Sequence, residues 1–445
     1  MKILNQEETK RIADKVMSLS KADECIVTIN GSRTGNIRYA RNAVSTAGLV
    51  ENTQLSVSVA FGKKQGTAVI NEFDEKSLAK AVQRAEELAK LAPENPEFMP
   101  TPDKQAFKDS DTFSKSTDAI NPEYRAQVAA YSIEACKKKG LVAAGFFTDQ
   151  SSYETVANSR GVFGHQSQTG IDFTCTVRTE DGRGSGWVRR DAQDVARFDP
   201  RAAAEVAMEK AIRSAEAKAL EPGRYTVILE PAATSDLLAF MFNGFDARSA
   251  DEGRSFLSKK GGGNRMGDKL FDEQVNVWAD PWDKDIPVLP WDNQTLLARE
   301  RMDIIKNGKI ASLNYSPFWG KKQGKRAVGQ PGNIIMAGGS KSTEELIAST
   351  KKGILVTRTW YIRMVDPQTV LLTGLTRDGT FYIENGKIKH PVKNFRFNES
   401  PVTMLNNIEE LGRPEVLAGD ESQFQLLIPA MKVRDFNFTS LSDAV

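Results

Sequence analysis

Histidine is nearly missing from this chain: His165 and His390 are the two among 445 residues. Far apart in sequence, and with no His, Cys or acidic neighbour at ligand spacing, neither reads as a metal ligand. So few imidazoles also leave little raw material for a Ser-His-Asp triad, and no Gly-x-Ser-x-Gly elbow occurs. Ser185, between Gly184 and Gly186, is read as part of a flexible turn over 182–186. Cysteine is equally scarce. Cys25, Cys136 and Cys175 are odd in number and widely spaced, the pattern of reduced core thiols in a cytoplasmic protein, with one bridge left open.

No sign of charge dominates. Sixty basic against 58 acidic residues give a formal net charge of +2, so there is no electrostatic case for DNA or an anionic membrane surface. The opening residues lack an apolar h-region, and no later run reaches the roughly 18 apolar residues of a spanning helix. Neither a signal peptide nor a membrane segment is expected.

Several local patterns suggest chemistry and then lack a defining residue. Gly261 to Lys269 is glycine-rich, but Asp268 separates Gly267 from Lys269 where a phosphate loop needs Lys directly after Gly, then Ser or Thr. It is read as a mobile surface loop. Lys321, Lys322, Lys325 and Arg326 form the densest basic loop, with Phe318 and Trp319 beside it as conceivable base-stacking groups. One short basic loop in a neutral chain is ordinarily solvated surface. Asp251-Glu252 and Asp283 with Asp285 lack the glycine-containing ligand loop of an EF-hand and are read as surface too.

What is present is an ordinary globular composition, 40% hydrophobic and 27% charged, on a chain long enough for several domains. The patterns predict an α+β fold in successive units. Residues 1–92 form an N-terminal α/β-like unit: a helix over 5–19, strands at 25–29, 55–61 and 67–70, a hairpin loop at 62–66 and a helix over 75–91. Pro93, Pro96, Pro100 and Pro102 open a polar linker over 93–120. A mixed middle unit, 121–222, holds a helix over 122–139, strands at 142–148, 154–157 and 171–177, a turn at 158–161 and a helix over 201–219. The last unit, 223–445, is rich in antiparallel strands. Its signals are a strand at 225–229, a short apolar helix at 237–244, a strand at 274–278 and a strand within 332–339. Tight hairpins are expected at Asn307-Gly308 and Asn385-Gly386, and a Ser342/Glu345 capping box should start a helix over 343–351.

The strand-turn-helix unit through Glu230-Pro231 to Gly244 resembles the TldD/PmbA family of zinc-dependent peptidases, to which the name "modulator of DNA gyrase" is attached. So do the turn at Asn158-Ser159-Arg160-Gly161, the run from Lys341 to Ile347 ending at Lys352-Gly353, the segment from Asp366 to Gly386, and Lys432-Val433-Arg434-Asp435. One segment departs. Many members are acidic where this chain reads Pro290-Trp291-Asp292-Asn293. In the catalytic TldD branch the helix carries His-Glu-x-x-x-His, whose positions fall here at Ala239, Phe240 and Gly244. A third ligand there is a Cys near the C-terminus, and the matching stretch from Glu421 to Val433 has none. The chain therefore resembles the PmbA branch, also called TldE.

That resemblance implies no catalytic residue and no metal ligand in this chain, with substrate-binding residues unassigned. Zinc would sit in a TldD-type partner subunit, the partner being that subunit or a second copy of this chain in a dimer. The implied substrate is a peptide or peptide precursor, with strand addition to an exposed sheet edge of the last unit as the expected mode of binding; nucleic acid and membrane are not expected partners. Two alternatives stay open: a stand-alone homodimeric binding or scaffold protein, and an autonomous metallopeptidase with a relocated metal site.

Overall fold

The computed structural model describes residues 3–418 and 425–442. Asn5 starts the first helix, α1 (Gln6–Leu19), through a reciprocal cap: its side chain accepts from Glu8 N at 3.0 Å while the Glu8 carboxylate accepts from Asn5 N at 2.9 Å. Then come β1 (Glu24–Ala40), β2 (Ala43–Phe61), β3 (Lys64–Ile70) and α2 (Glu75–Leu91). Asp74 caps α2; periodicity places Leu78, Ala79, Val82, Ala85, Leu88 and Ala89 on one stripe, of which Ala79 and Leu88 are exposed while Ala81 and Glu86 join the buried face. Beyond the prolines follow α3 (Lys115–Asp118), α4 (Pro122–Lys138), β4 (Leu141–Asn158), β5 (Phe163–Thr179), β6 (Ser185–Ala192) and α5 (Pro200–Ser214).

The six strands make one antiparallel sheet in the order β3-β2-β1-β4-β5-β6. β1 pairs β4 from Ile26↔Asn158 to Tyr39↔Gly145, so strands from both sides of the proline-rich stretch share a sheet. The strands run 17, 19, 18 and 17 residues for β1, β2, β4 and β5, and the short segments expected at 25–29, 55–61, 142–148 and 154–157 cover only parts of them. Burial continues beyond those segments at Ile37, Tyr39, Asp149 and Tyr153, whereas residues 43–52 of β2 are exposed throughout, which erases the period-two signal there. The β2–β3 turn is tighter than expected, with Gly62 at φ +57° and Gly66 already within β3. α5 ends at Ser214, short of the expected 219.

Residues 93–114 carry no helix or strand, yet their polar groups are engaged at both ends. Asn158 Nδ2 donates to Thr101 Oγ1 at 3.0 Å and to Pro102 O at 2.9 Å. Farther along, Gln105 bonds Leu296 O and Ala298 N, Ser110 Oγ donates to Pro281 O at 2.6 Å, and the Phe107 ring lies 5.2 Å from that of Trp291. The stretch straps the first sheet to the C-terminal body.

That body contains, in order, β7 (Gly223–Leu229), α6 (Pro231–Phe242), α7 (Ala247–Asp251), β8 (Val277–Ala279), β9 (Met302–Lys306), β10 (Lys309–Ile310), α8 (Pro317–Gln323), β11 (Asn333–Met336), α9 (Thr343–Ala348) and β12 (Lys352–Val356). β13 (Thr359–Asp366), β14 (Leu371–Thr376), β15 (Thr380–Glu384), β16 (Lys387–Pro391), β17 (Phe395–Glu399), α10 (Pro401–Asn406), β18 (Ile408–Ala418) and β19 (Gln425–Leu441) complete it. The main path of its sheet is β10-β9-β8-β11-β19-β7-β12-β15-β16. β19 is the hub, pairing β7, β11, β17 and β18, and only β11–β19 and β7–β12 are parallel among the described ladders. Both Asn-Gly turns have positive φ at each residue, 49° and 73° for Asn307-Gly308 and 50° and 74° for Asn385-Gly386, the geometry a two-residue hairpin requires. Ser342 and Glu345 form the expected capping box, and α9 stops at Ala348 instead of 351.

The architecture is thus α+β, with the largest apolar core gathered around α6 and β19. No helix among the described residues is long and apolar enough to cross a membrane. Cys25, Cys136 and Cys175 are free and buried, and burial pushes the Cys25 thiol up to about 11 and that of Cys136 to about 12.

Candidate functional site

α6 leaves the end of β7 through Glu230 at its N-cap and Pro231 at its first position, where a missing N–H costs nothing. It starts six residues earlier than the expected 237 and ends at Phe242, before 244. The three positions that matter by resemblance therefore differ in setting. Ala239 is fully buried, Phe240 packs against the core, and Gly244 lies past the helix end. A Cβ on Gly244 would stand 2.9 Å from Phe256 Cε1. Hydrocarbon occupies this place, and none of the three side chains has a lone pair for a metal. Among the described residues no group of three His, Cys, Asp or Glu could hold an ion. The residues at α6 do not fit zinc. Glu421 to Phe424, in the stretch matched to the cysteine ligand, fall outside the described residues.

At the C-terminal end of α6 opens a cleft of about 660 Å³, with Phe242, Asn243 and Asp246 on its wall. Asn314, bridged to Asp246, and Asp292, Arg299, Gln330 and Gln425 also line it. The Asp292 carboxylate is buried and accepts from Thr295 Oγ1 at 2.7 Å, Gln294 N at 3.0 Å and Gln330 N at 3.3 Å. Arg299 donates to Gln330 O at 2.7 Å and Leu289 O at 3.0 Å; burial pushes its guanidinium pKa down, and Asp292 opposes that shift. Asn314 Oδ1 is buried without a hydrogen-bond partner. The cleft is thus lined by amides, apolar side chains and charged groups that hold neighbouring backbone, a surface that can hydrogen-bond a peptide backbone.

Glu154, projecting from β4, joins the Pro290–Asn293 segment. It accepts from Trp291 Nε1 at 3.1 Å and Asn293 Nδ2 at 3.0 Å, and burial raises its carboxyl pKa against those two bonds. The loop thus presents donors to a carboxylate from another strand.

The remaining candidates are kept apart. His165 on β5 has Nδ1 within 2.8 Å of Thr155 Oγ1 and 3.2 Å of Thr9 Oγ1, and its ring stacks on Tyr153. His390 on β16, in the other sheet, has Nδ1 3.0 Å from Pro391 O and stacks on Tyr382. Ser185 is buried and donates to Asp378 Oδ1 at 2.6 Å, a structural bond between β6 and the β14–β15 turn. Trp319 is also buried, its Nε1 donating to Asp251 at 2.7 Å, so its face is not free for a base. Arg326 pairs with Glu300. The acidic pairs are engaged as well: Glu252 binds Arg248 and Arg254, Asp283 accepts from Asp285 N and Ile286 N, and Asp285 pairs with Arg197. The glycine-rich loop folds back on itself, Lys259 N donating to Gly263 O at 2.9 Å, with Lys259 and Asp268 in an ion pair at 3.1 Å.

Sequence reasoning missed Glu154, Arg299 and Asn314. The departure at 290–293 pointed to the right loop, while nothing near Glu154 in sequence linked it to a segment more than a hundred residues away.

Comparison with known proteins follows the whole chain. Residues 222–440 match the PmbA/TldA metallopeptidase C-terminal domain, residues 71–215 the central domain and residues 27–89 domain 1 of the same family. The metalloprotease PmbA of Escherichia coli O157:H7 is 24% identical over 97% of this chain and 98% of its own length. A metalloprotease of Methanothermobacter thermautotrophicus is 23% identical over 60% of this chain and 61% of its own. The crystal structure of TldE from Thermococcus kodakarensis superposes with a TM-score of 0.86 at 16% identity, covering 97% of this chain and 99% of that one. At that identity the likeness is one of fold.

Proposed function

Since this chain belongs to the PmbA/TldA metallopeptidase family, we propose that it is a TldE-type subunit that holds peptide for a zinc-bearing TldD-type partner. Its work is proteolysis or peptide-precursor processing carried out jointly. The partner supplies zinc, and with it a metal-activated water. This chain supplies a wall of the chamber. The observation that carries the reading is the pairing of hydrocarbon at Ala239, Phe240 and Gly244 with an amide-lined cleft at the same helix end. A peptide backbone needs donors and acceptors such as Asn243, Asn314 and Gln425 and makes no demand for a reacting group.

The test is cleavage of an unfolded peptide by this chain alone, by a TldD-type protein carrying His-Glu-x-x-x-His alone, and by the two mixed. Cleavage that this chain raises only in the mixture supports the proposal. Chelator-sensitive cleavage by this chain alone overturns it and returns the reading to an autonomous metallopeptidase. Peptide binding with no effect on any such partner leaves a stand-alone binding protein.

A further inference from the structure

A second cleft, of about 560 Å³, opens at the other end of α6, against Glu230, Pro231 and Ala232. The helix's 12 residues set it about 18 Å from the amide-lined cleft. Three strand edges face this space. β6 brings Trp187 to Arg190, β16 brings Lys387 and Ile388, and β18 brings Glu415 and Leu417; among the described residues each has one ladder partner, β5, β15 and β19, while bridges from Lys218 and Lys341 close the edges of β16 and β18 farther along, at Pro391–Val392 and Gly412–Arg413. Open edges present unpaired N–H and C=O groups, the feature by which an extended peptide is held as an added strand.

The charges in the cleft are not equally committed. Lys210 Nζ and Glu230 Oε2 satisfy one another at 2.6 Å. Glu415 reaches the solvent of the cleft, and among the described residues its carboxylate makes no hydrogen bond or ion pair. Arg190 on β6 and Lys210 on α5 act on it electrostatically without closing to contact, while Glu230 and Glu344, the latter on α9, repel it. Crowding by the walls raises its carboxyl pKa, a cost that a bound cation would offset. A metal ion is not that cation, because no three acidic, His or Cys side chains among the described residues converge here. An ammonium needs only one carboxylate and further acceptors such as edge-strand carbonyls.

We propose that this cleft binds an extended peptide segment carrying a primary ammonium, an α-amino terminus or a lysine side chain, with Glu415 as its counter-charge. Trp187, Phe381 and Ile388 then receive the adjacent apolar side chain. The inference deepens the peptide-holding role by naming what the peptide must carry, and it is read on this chain alone. The partner-dependent cleavage assay can fail while this binding holds, and the reverse.

The experiment is fluorescence anisotropy of the full chain with three labelled eight-residue peptides: free amino terminus without Lys or Arg, the same acetylated, and the acetylated form with one lysine. A charge-assisted bond makes the acetylated, lysine-free peptide about tenfold weaker or worse. Rescue by the free terminus or by the lysine tells which source is used. Glu415→Gln removes the preference, and so does lowering the pH through the Glu415 carboxyl range. Because the Glu415 side chain is exposed and unbonded, that variant keeps its melting temperature, while Lys80→Gln, on the exposed face of α2 and outside the cleft, leaves the preference intact. Equal binding of all three peptides, no binding of any, or a preference that survives Glu415→Gln overturns the proposal.

Discussion

Arg125 on α4 grips Asp149 on β4 through two hydrogen bonds, Nε to Oδ1 at 2.5 Å and Nη2 to Oδ2 at 3.0 Å, with both side chains 8% exposed. The guanidinium reaches Asp149 across β1 at the one place where β1 has no side chain in the way. A Cβ on Gly35 would stand 1.9 Å from Arg125 Nη2.

Removing one member of such a pair strands a buried charge. Asp149→Ala should cost about 3–5 kcal/mol, whereas exchanging both residues for apolar ones of similar volume should cost far less. Gly35→Ala should also destabilise, by parting the pair. Urea unfolding of the four proteins checks the order; a mild Asp149→Ala would mean that water reaches the site.

Asp378 fastens β6 to the C-terminal sheet. Its side chain is 2% exposed, accepts from Ser185 Oγ at 2.6 Å and pairs with Arg358 Nη1 at 3.0 Å, and the Arg358 guanidinium lies 4.0 Å from the Trp187 ring centroid. Ser185→Ala should cost about 1.5–3 kcal/mol, the range for a bond to a charged group. Asp378→Ala should cost about 3–5 kcal/mol. If unfolding is followed by tryptophan fluorescence, Asp378→Ala should also shift the Trp187 signal before global unfolding.

Grafting the catalytic pattern should not bring zinc with it. Ala239→His, Phe240→Glu and Gly244→His together put one imidazole in a fully buried position and the other beyond the helix end against Phe256. Metal analysis after gel filtration should find no stoichiometric zinc in the triple variant, and its stability should fall. Bound, chelator-removable zinc at one per chain would show that the cleft can still close around an ion.

Burial holds the His165 imidazole below its ordinary pKa of 6.5. The unfolded chain then binds a proton more readily than the folded one, so the stability from His165 is complete above about pH 6.5 and is lost as pH falls through the lower folded value. His165→Gln should flatten the melting temperature across that window. A variant whose curve stays parallel to the parent's would assign the slope to other groups.

The sequence made legible those elements whose information is local. The Ser342 cap and both Asn-Gly turns are each complete within a few residues, and each stands where the residues put it. The family's three positions could be located because they lie within six residues, on α6 and the turn that ends it. The full length of the strands was not legible, most plainly in β2, whose first ten residues are exposed and alternate nothing. Nor were the clefts, where one wall set comes from β5, the 288–299 loop and β19, segments that meet only through tertiary pairing. Glu154 is the plainest instance: its neighbours in sequence are ordinary strand residues, and its role comes from Trp291 and Asn293.

The ladder between β1 and β4 has a consequence during synthesis. Ile26 leaves the ribosome long before its partner Asn158 exists, and at usual elongation rates the delay is on the order of ten seconds. Throughout that interval the nascent chain carries an open β1 edge that only its own later sequence can cover. β7 waits longer still, because its neighbour β19 is the last strand made. Folding of this chain must therefore finish after translation nears its end, and any holding factor that shields strand edges would act on it in that gap.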